Sequence, residues 1–575
     1  LSIDSIKRIE IIGELAQRLG LGAQSGAADA DAIVEELAGR KTLRALVTWL
    51  TERLAQAPAA GAPPPAAPQP AAPTTSEPIV VPAQPYGVAD SVTTPVRAVP
   101  PSVGRYTVAV VPAPPPLNGH STLAGARVHV VIPKRERYPE IAAIADALDK
   151  RLVGEGAIVA AERASVHVDF GPYDDVAALR ALFERVKFAA TGEVRRIVIA
   201  TRAGDIGRAR HGAGGVAGLV KTVAAEFPAI AIRAVDVPPE VPVGDAAALI
   251  HAELHAADAY VEVGYVAGVR STLELVPSPL PAATPDAKLP VDASSLVLVT
   301  GGARGITARV AVALAERTGC KLALIGRSRQ PVASSADDPG GDARALRAHF
   351  AQRLPLPEVE ATVDRTLADR DIRGTLAALG DRASYHAVDV RTPAFGALID
   401  ELYTRHGSIA GVIHGAGVLD DKLIRHKTGD SFERVVATKV ASAHVLVNAL
   451  RDDVRFVAMF SSIVGATGNR GQVDYATAGD ALDKLAWQLA RRSKARVVSI
   501  DWGPWAGGGM VSAELAREYA RRGVALVDPD AGIAAALAEI AGAGRDAQVV
   551  LSASDPRALA RPRAAVGEPS TADAS

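Results

Sequence analysis

Tyr475 stands thirteen residues after Ser462. Ser461 and Ser462 close the apolar run Phe456-Val457-Ala458-Met459-Phe460, a strand pattern, and Tyr475 falls on the helical stretch that follows. A serine at a strand end and a tyrosine on the next helix can converge on one carbonyl oxygen. One hydroxyl then polarises that oxygen, and the other protonates the alkoxide formed as the carbon is reduced. Tyrosine ordinarily titrates near ~10, so a neighbouring cation helps it act at neutral pH. Lys439, in Ala437-Thr438-Lys439-Val440 on the preceding helix, is the candidate cation. Taken singly, a Ser-Ser pair or a Tyr-Ala-x-Ala run is more often structural. The order of the three, behind a glycine turn, gives them weight together.

That turn is Thr300-Gly301-Gly302-Ala303-Arg304-Gly305-Ile306, between the buried strand pattern 296–300 and a helical one. Gly301, Gly302 and Gly305 allow a tight bend and close backbone approach, and a helix N-terminus there faces a pyrophosphate. The next strand ends Ile325-Gly326-Arg327-Ser328. An acid at that point would suit NAD. Arg327 and Ser328 suit a 2′-phosphate, hence NADPH, and Arg304 adds to that charge. Asp389-Val390 follows the third strand, where the adenine edge would lie. His414-Gly415-Ala416-Gly417 follows the fourth, beside the ribose.

Elements of α/β type must position these groups. Strands are expected at 296–300, 322–325, 384–388, 409–414, 456–461 and 496–501, separated by helical patterns: a doubly wound parallel sheet. Residues 328–381 are long for a crossover and read as an inserted helical excursion with helices at 343–354 and 357–369. A similar alternation runs from 103 to about 276, with continuous apolar strand runs at 128–132 and 196–200. The fold class is therefore α/β, with two tandem Rossmann-like doubly wound parallel sheets. Residues 55–102 are Ala/Pro-rich and extended, a linker. Residues 1–54 carry helical spacing (Ile6, Ile9, Ile12, Leu15, Leu19), too little to bury a face alone. The expected division is 1–54, 55–102, 103–290, 291–562 and a tail at 563–575.

Composition narrows the classes. Net charge is −1, which does not favour nucleic acid or an anionic membrane as partner. No apolar run approaches the ~20 residues that span a bilayer, and the first segment does not read as a signal peptide. Cys320 is the single cysteine, so no internal disulfide or cysteine-built metal site can form, and a cytoplasmic location is expected. No metal ligands are assigned. The chain does not begin with Met and opens in mid-pattern, as a piece of a longer polypeptide would.

Taken together, Thr300 to Ile306, His414 to Gly417, Leu419-Asp420-Asp421, Ser461-Ser462, Gly471-Gln472-Val473-Asp474-Tyr475 and Asp501-Trp502-Gly503-Pro504-Trp505-Ala506-Gly507-Gly508-Gly509-Met510 resemble the catalytic half of a megasynthase ketoreductase, in the short-chain dehydrogenase/reductase superfamily. Residues 103–276 are similar to that family's structural subdomain. His211-Gly212-Ala213-Gly214-Gly215-Val216-Ala217-Gly218 leads there to Lys221 and Ala225-Glu226-Phe227-Pro228, without a glycine fingerprint or a serine–tyrosine pair.

The resemblance implies NADPH-dependent reduction of a β-ketoacyl thioester held on an acyl carrier domain. Tyr475 is then the proton donor, Ser462 its partner and Lys439 the cation, with Gly503-Pro504 by the nicotinamide and a helical lid from Met510 onward. Leu419-Asp420-Asp421 is similar to the motif of ketoreductases that make the R (D) alcohol, and no tryptophan lies between Ser462 and Tyr475. One position departs from the family: where Asn usually stands four residues after the tyrosine, this chain has Gly479, with Asp480 and Asp483 nearby as acids that could substitute. Gly305-Ile306-Thr307 and the run 507–510 look closer to iterative synthases of polyunsaturated fatty acid or enediyne type.

Leu1-Ser2-Ile3-Asp4-Ser5-Ile6 resembles an acyl carrier signature, which implies 4′-phosphopantetheine on Ser5. The partners implied are acyl carrier domains bearing β-ketoacyl chains and the other domains of the same megasynthase. Two alternatives stand beside an active reductase. One is a non-catalytic scaffold with a relay broken at Gly479. The other is a free short-chain dehydrogenase.

Overall fold

The computed structural model describes residues 103–116, 123–132, 134–210, 214–280, 288–331, 338–507, 513–542 and 544–558. Residues 1–54, expected to be helical and to carry Ser5, the expected linker 55–102, Met510 and the expected tail 563–575 lie outside the described residues.

Short runs of β-branched and apolar residues bounded by turns form the strands. The first half carries β1 (Gly104–Pro112), β2 (Arg127–Val131), β3 (Ile158–Val159), β4 (Val166–Phe170), β5 (Arg196–Thr201), β6 (Ala231–Asp236), β7 (Glu262–Val266) and β8 (Val269–Pro277). The second carries β9 (Leu296–Thr300), β10 (Lys321–Gly326), β11 (Ala383–Ala387), β12 (Gly411–His414), β13 (Phe456–Ser462), β14 (Arg496–Trp502) and β15 (Gln548–Ser552). The two parallel arrays expected from the sequence are joined into one 15-stranded sheet, ordered β11-β10-β9-β12-β13-β14-β15-β1-β8-β7-β6-β5-β4-β2-β3. The join is antiparallel: β1 pairs with β15 on one side and β8 on the other, and β8 turns back on β7.

The helices Val216–Glu226 and Val473–Arg492 lock the halves together across a close contact. A Cβ on Gly218 would lie 2.1 Å from the Ala476 carbonyl oxygen, so only glycine allows this approach. Four charged side chains form a paired cluster there. Lys221 reaches Glu262 at 2.7 Å, and Lys484 bridges Glu262 and Asp480 at 3.2 Å each. Pairing of this kind is what makes buried charge tolerable.

The inserted excursion forms the helices Ala343–Phe350 and Leu356–Leu379 around a small core of Leu346, Phe350, Val359 and Val363. The second helix runs past the expected 369 and stops only where Gly380 turns to φ +54. Among the described residues no helix is long and apolar enough to cross a membrane.

Candidate active site

Strand β9 lies between β10 and β12, so the strand order reverses there, and a crevice opens at the carboxyl ends of these strands. Gly301 (φ +66) and Gly305 (φ +62) take the left-handed backbone that the turn requires. A Cβ on Gly301 would sit 2.8 Å from the Gly415 carbonyl oxygen, so the turn and the loop after β12 touch backbone to backbone. The helix Gly305–Thr318 starts at this turn and presents its amides to the crevice.

A cavity of about 540 Å³ fills the crevice. Gly301, Arg304, Gly305 and Ile306 line one end with Arg327, Ser328 and Val390; Gly415, Ala416 and Gly417 continue the wall. Lys439, Ser462, Tyr475, Gly503 and Pro504 line the other part, with Leu419 and Asp421. The glycine cradle, the helix N-terminus and the two exposed arginines together fit a phosphorylated dinucleotide.

Five residues singled out in the sequence lie behind this wall rather than on it. Gly302 is buried in the turn, where a Cβ would meet the Val299 side chain at 2.4 Å. Asp389 is held by Arg391, with Nη2 at 2.6 Å. Asp420 accepts from Ser431 Oγ at 2.7 Å and pairs with Arg434 and Lys422, so it braces its loop. Thr300 and His414 are buried neighbours on β9 and β12, with Thr300 Oγ1 2.8 Å from His414 Nδ1. Burial pulls His414 down to about 4, so it is neutral at pH 7. Its Nε2 lies 2.9 Å from the Lys439 carbonyl, which only accepts, so the proton sits on Nε2 and Thr300 donates to Nδ1. Thr300 and His414 thereby tie the glycine turn to the backbone of Lys439.

Lys439 sits in a π-helical turn, Ala437–Ala441, between the helices Gly429–Val436 and Ser442–Ala449. Such turns recur at functional sites because they re-aim a side chain. Its Nζ donates to the Phe460 carbonyl at 2.5 Å and lies 5.3 Å from the Tyr475 ring centroid. Burial pulls Lys439 down to about 8, opposed by Asp483 and Asp501. Ser462 N-caps the short helix Ile463–Thr467 and hydrogen-bonds Tyr475. Burial pushes Tyr475 up to about 12; Asp421 adds to this and Ser462 opposes it. Asp421 in turn accepts from Gln472 Nε2 at 2.9 Å.

The two acids near Gly479 have different surroundings. Asp480 accepts from the Gly215 amide at 2.8 Å and pairs with Lys484, so it belongs to the junction between the halves. Asp483 turns the other way. It accepts from Ser499 Oγ at 2.6 Å, and its neighbour Asp501 accepts from Gln548 Nε2 at 2.8 Å. Their remaining oxygens, Asp483 Oδ2 and Asp501 Oδ1, are buried, and the Ser461 hydroxyl is the other donor facing the pair. The two carboxyls hydrogen-bond each other, which requires one shared proton. Burial pushes Asp483 up to about 6, and burial together with Asp483 pushes Asp501 well above the carboxylate range.

The first half also shapes the site. Glu226 accepts from the Gly471 amide at 2.9 Å and the Ile424 amide at 2.8 Å, and Lys221 Nζ donates to the Ala466 carbonyl at 2.8 Å. These bonds hold the segment 466–471 that leads into Tyr475. The Lys422 amide joins it to the Leu419–Asp421 loop through the Gly471 carbonyl at 2.8 Å. Sequence reasoning noted Lys221 and Glu226 as family-like without giving them a task. It missed the cavity residues Asp371 and Ile372 from the inserted helix, Tyr385, whose hydroxyl donates to the Ser328 carbonyl at 2.7 Å, and Leu515 and Tyr519 of the helix Ala513–Arg521. The helical pattern after 356 was the available signal for the first pair.

Comparison with known proteins agrees with this architecture. Residues 295–507 match the family model described as KR domain. A polyunsaturated fatty acid synthase protein of Thraustochytrium sp. is 35% identical over 349 residues, 56% of this chain and 12% of that protein. Polyketide synthase GfsB of Streptomyces halstedii is 33% identical over 261 residues, 45% of this chain and 4% of that protein. The chain thus spans a small part of the relatives it matches. Among solved structures, the first ketoreductase of the tylosin polyketide synthase aligns with a TM-score of 0.57 at 25% identity, covering 81% of this chain and 97% of that one. PlmKR1, the ketoreductase from the first module of phoslactomycin biosynthesis in Streptomyces sp. HK803, aligns with a TM-score of 0.59 at 23% identity, covering 79% and 94%. Both halves of the sheet fall within such matches, and residues 295–507 form a KR domain similar to those of polyketide and polyunsaturated fatty acid synthases.

Proposed function

We propose that the chain reduces a carrier-bound β-ketoacyl thioester to the β-hydroxyacyl thioester, with NADPH as reductant and the R (D) alcohol as product. The observation that carries this is the meeting of Ser462, Tyr475 and Lys439 in the cavity whose other wall holds the glycine turn, Arg304 and Arg327. NADPH, bound there, supplies the hydride. Ser462 hydrogen-bonds the substrate oxygen, and Tyr475 gives it a proton as the alkoxide forms. Lys439, charged below pH ~8, stabilises the tyrosinate left behind. The Asp483–Asp501 pair stands near the departure at Gly479 and keeps negative charge facing Lys439 at neutral pH. Leu419 and Asp421 flank the tyrosine and set which face of the ketone is presented. The carrier partner with phosphopantetheine on Ser5, the neighbouring synthase domains and the cytoplasmic setting complete this reading, through the resemblance of residues 1–6 and the synthase relatives.

The experiment is NADPH oxidation with a short β-ketoacyl thioester, wild type against Tyr475→Phe. Turnover lost by about 10²–10⁴-fold in the variant, with NADPH binding kept, is the expected result. NADPH binding without turnover by wild type would leave a scaffold instead.

A further inference from the structure

A second cluster of chemistry-bearing side chains lies in the first half, and none of its members lines the reductase cavity. His251 and His255 are one turn apart on the helix Val243–His255, so their rings share a face. Glu155 caps the C-terminal end of the helix Pro139–Gly154. His251 Nε2 lies 2.9 Å and His255 Nε2 3.2 Å from the same oxygen, Glu155 Oε2. The three donor groups lie within 4.8 Å of one another, and the rings meet edge to face.

Hydrogen bonding alone accounts poorly for this arrangement. It spends one carboxylate oxygen on two imidazoles, while Glu155 Oε1 is buried and receives no donor. Convergence on a shared ion uses all three groups. Ligands bound at 2.0–2.1 Å to a tetrahedral zinc ion stand about 3.3–3.4 Å apart, close to the two histidine–glutamate spacings of 2.9 and 3.2 Å, and the third pair lies within 4.8 Å. The setting also favours a cation. His255 is the last residue of its helix and Glu155 the cap of the other, so two helix C-termini, each with partial negative charge, meet at this point. Arg151, one turn before Glu155, is turned to the Gly244 carbonyl at 3.4 Å. The three side chains are 16–25% exposed, open enough for an ion to enter and for water to fill a fourth position.

We propose that Glu155, His251 and His255 form a binding site for a divalent transition-metal ion, zinc by ligand type, which clamps the C-terminal ends of these two helices. Two imidazoles and one carboxylate suit Zn²⁺, Ni²⁺, Cu²⁺ or Co²⁺ and disfavour Mg²⁺ and Ca²⁺. The ion's task is structural: it ties two helix ends together, and binding to the folded chain alone raises its stability.

The test uses the full chain stripped with a chelator and titrated with ZnCl₂, in competition with a chromogenic chelator. Wild type is compared with His251→Ala/His255→Ala and with Glu155→Gln. The expected result is one zinc per chain, bound at least tenfold more weakly by both variants, and a zinc-dependent rise in Tm that the variants lose. Cobalt substitution should give the visible absorption of a tetrahedral site. Zinc binding of equal strength in wild type and variants, or none at micromolar free ion, overturns the proposal. If the double histidine variant does not fold, Glu155→Gln carries the test, with NADPH binding by the other half as the folding control.

Discussion

A Cβ on Gly479 would lie 2.9 Å from the Cα of Gly465, so the helix Ile463–Thr467 rests backbone to backbone on Val473–Arg492. An asparagine at 479 therefore has no room, and the short helix it would displace is the one capped by Ser462. Gly479→Asn is expected to destabilise by about 1–3 kcal/mol, as overpacking does. It should also slow the reductase rather than repair a relay. Thermal unfolding beside NADPH oxidation checks this. A variant both as stable as wild type and faster would show that Gly479 is a lesion.

Arg304 and Arg327 are exposed on the cavity rim beside Ser328, with no acid in the position that would suit NAD. A charge-assisted bond to a 2′-phosphate is worth about 1.5–3 kcal/mol. Arg327→Ala should raise KM for NADPH by about 10–100-fold and leave the weaker use of NADH nearly unchanged. Equal losses with both cofactors would place Arg327 elsewhere than on the phosphate.

Much of this was legible in the sequence where chemistry and local pattern coincide. The strand Leu296–Thr300 lies where its apolar run placed it, because a strand buried on both faces is apolar throughout. The Ser462–Tyr475 spacing survives because strand, short helix and long helix follow one another directly. Contacts made across the chain left no such mark. Glu226 meets its two amides 198 and 245 residues away, and Glu155 meets its histidines 96 and 100 residues away. Asp501 reads in sequence as the end of a strand, and only the packing of Val473–Arg492 beside β14 brings Asp483 to it. The joined sheet was hidden for a related reason: β1 precedes the partner strand β15 by most of the chain, and edge pairing carries no residue code.

Glu226→Ala tests the role of the first half, in which no catalytic residue is proposed. The change leaves the Ile424 and Gly471 amides without their acceptor, at about 1–3 kcal/mol for each amide that water does not reach. It also frees the segment that leads into Tyr475. Lower Tm and a fall in kcat larger than the change in KM for NADPH are expected, with Glu226→Gln, which keeps one acceptor oxygen, recovering part of both. An unchanged kcat would confine Glu226 to packing.

The pH profile tests the buried carboxyl pair. Tyr475, held up at about 12, stays protonated through the working range, so it contributes no limb to the profile of reduction. Lys439, held down to about 8, is charged below that pH and neutral above it. In reduction, kcat/KM should be level below pH ~8 and fall as pH rises through it, since that ratio reports the free enzyme. The Asp483–Asp501 pair shares one proton and so carries one negative charge at neutral pH, which faces Lys439 and supports its charge. The double change Asp483→Asn/Asp501→Asn removes that support, since either acid alone would keep the charge, and Lys439 then loses its proton more readily. The alkaline limb should move down by about one pH unit, the size of shift a single neighbouring charge produces. Loss of packing alone would lower kcat at every pH and leave the limb in place. A limb that stays near 8 in the variant would therefore remove the carboxyl pair from the proton chemistry, even if the variant were slow.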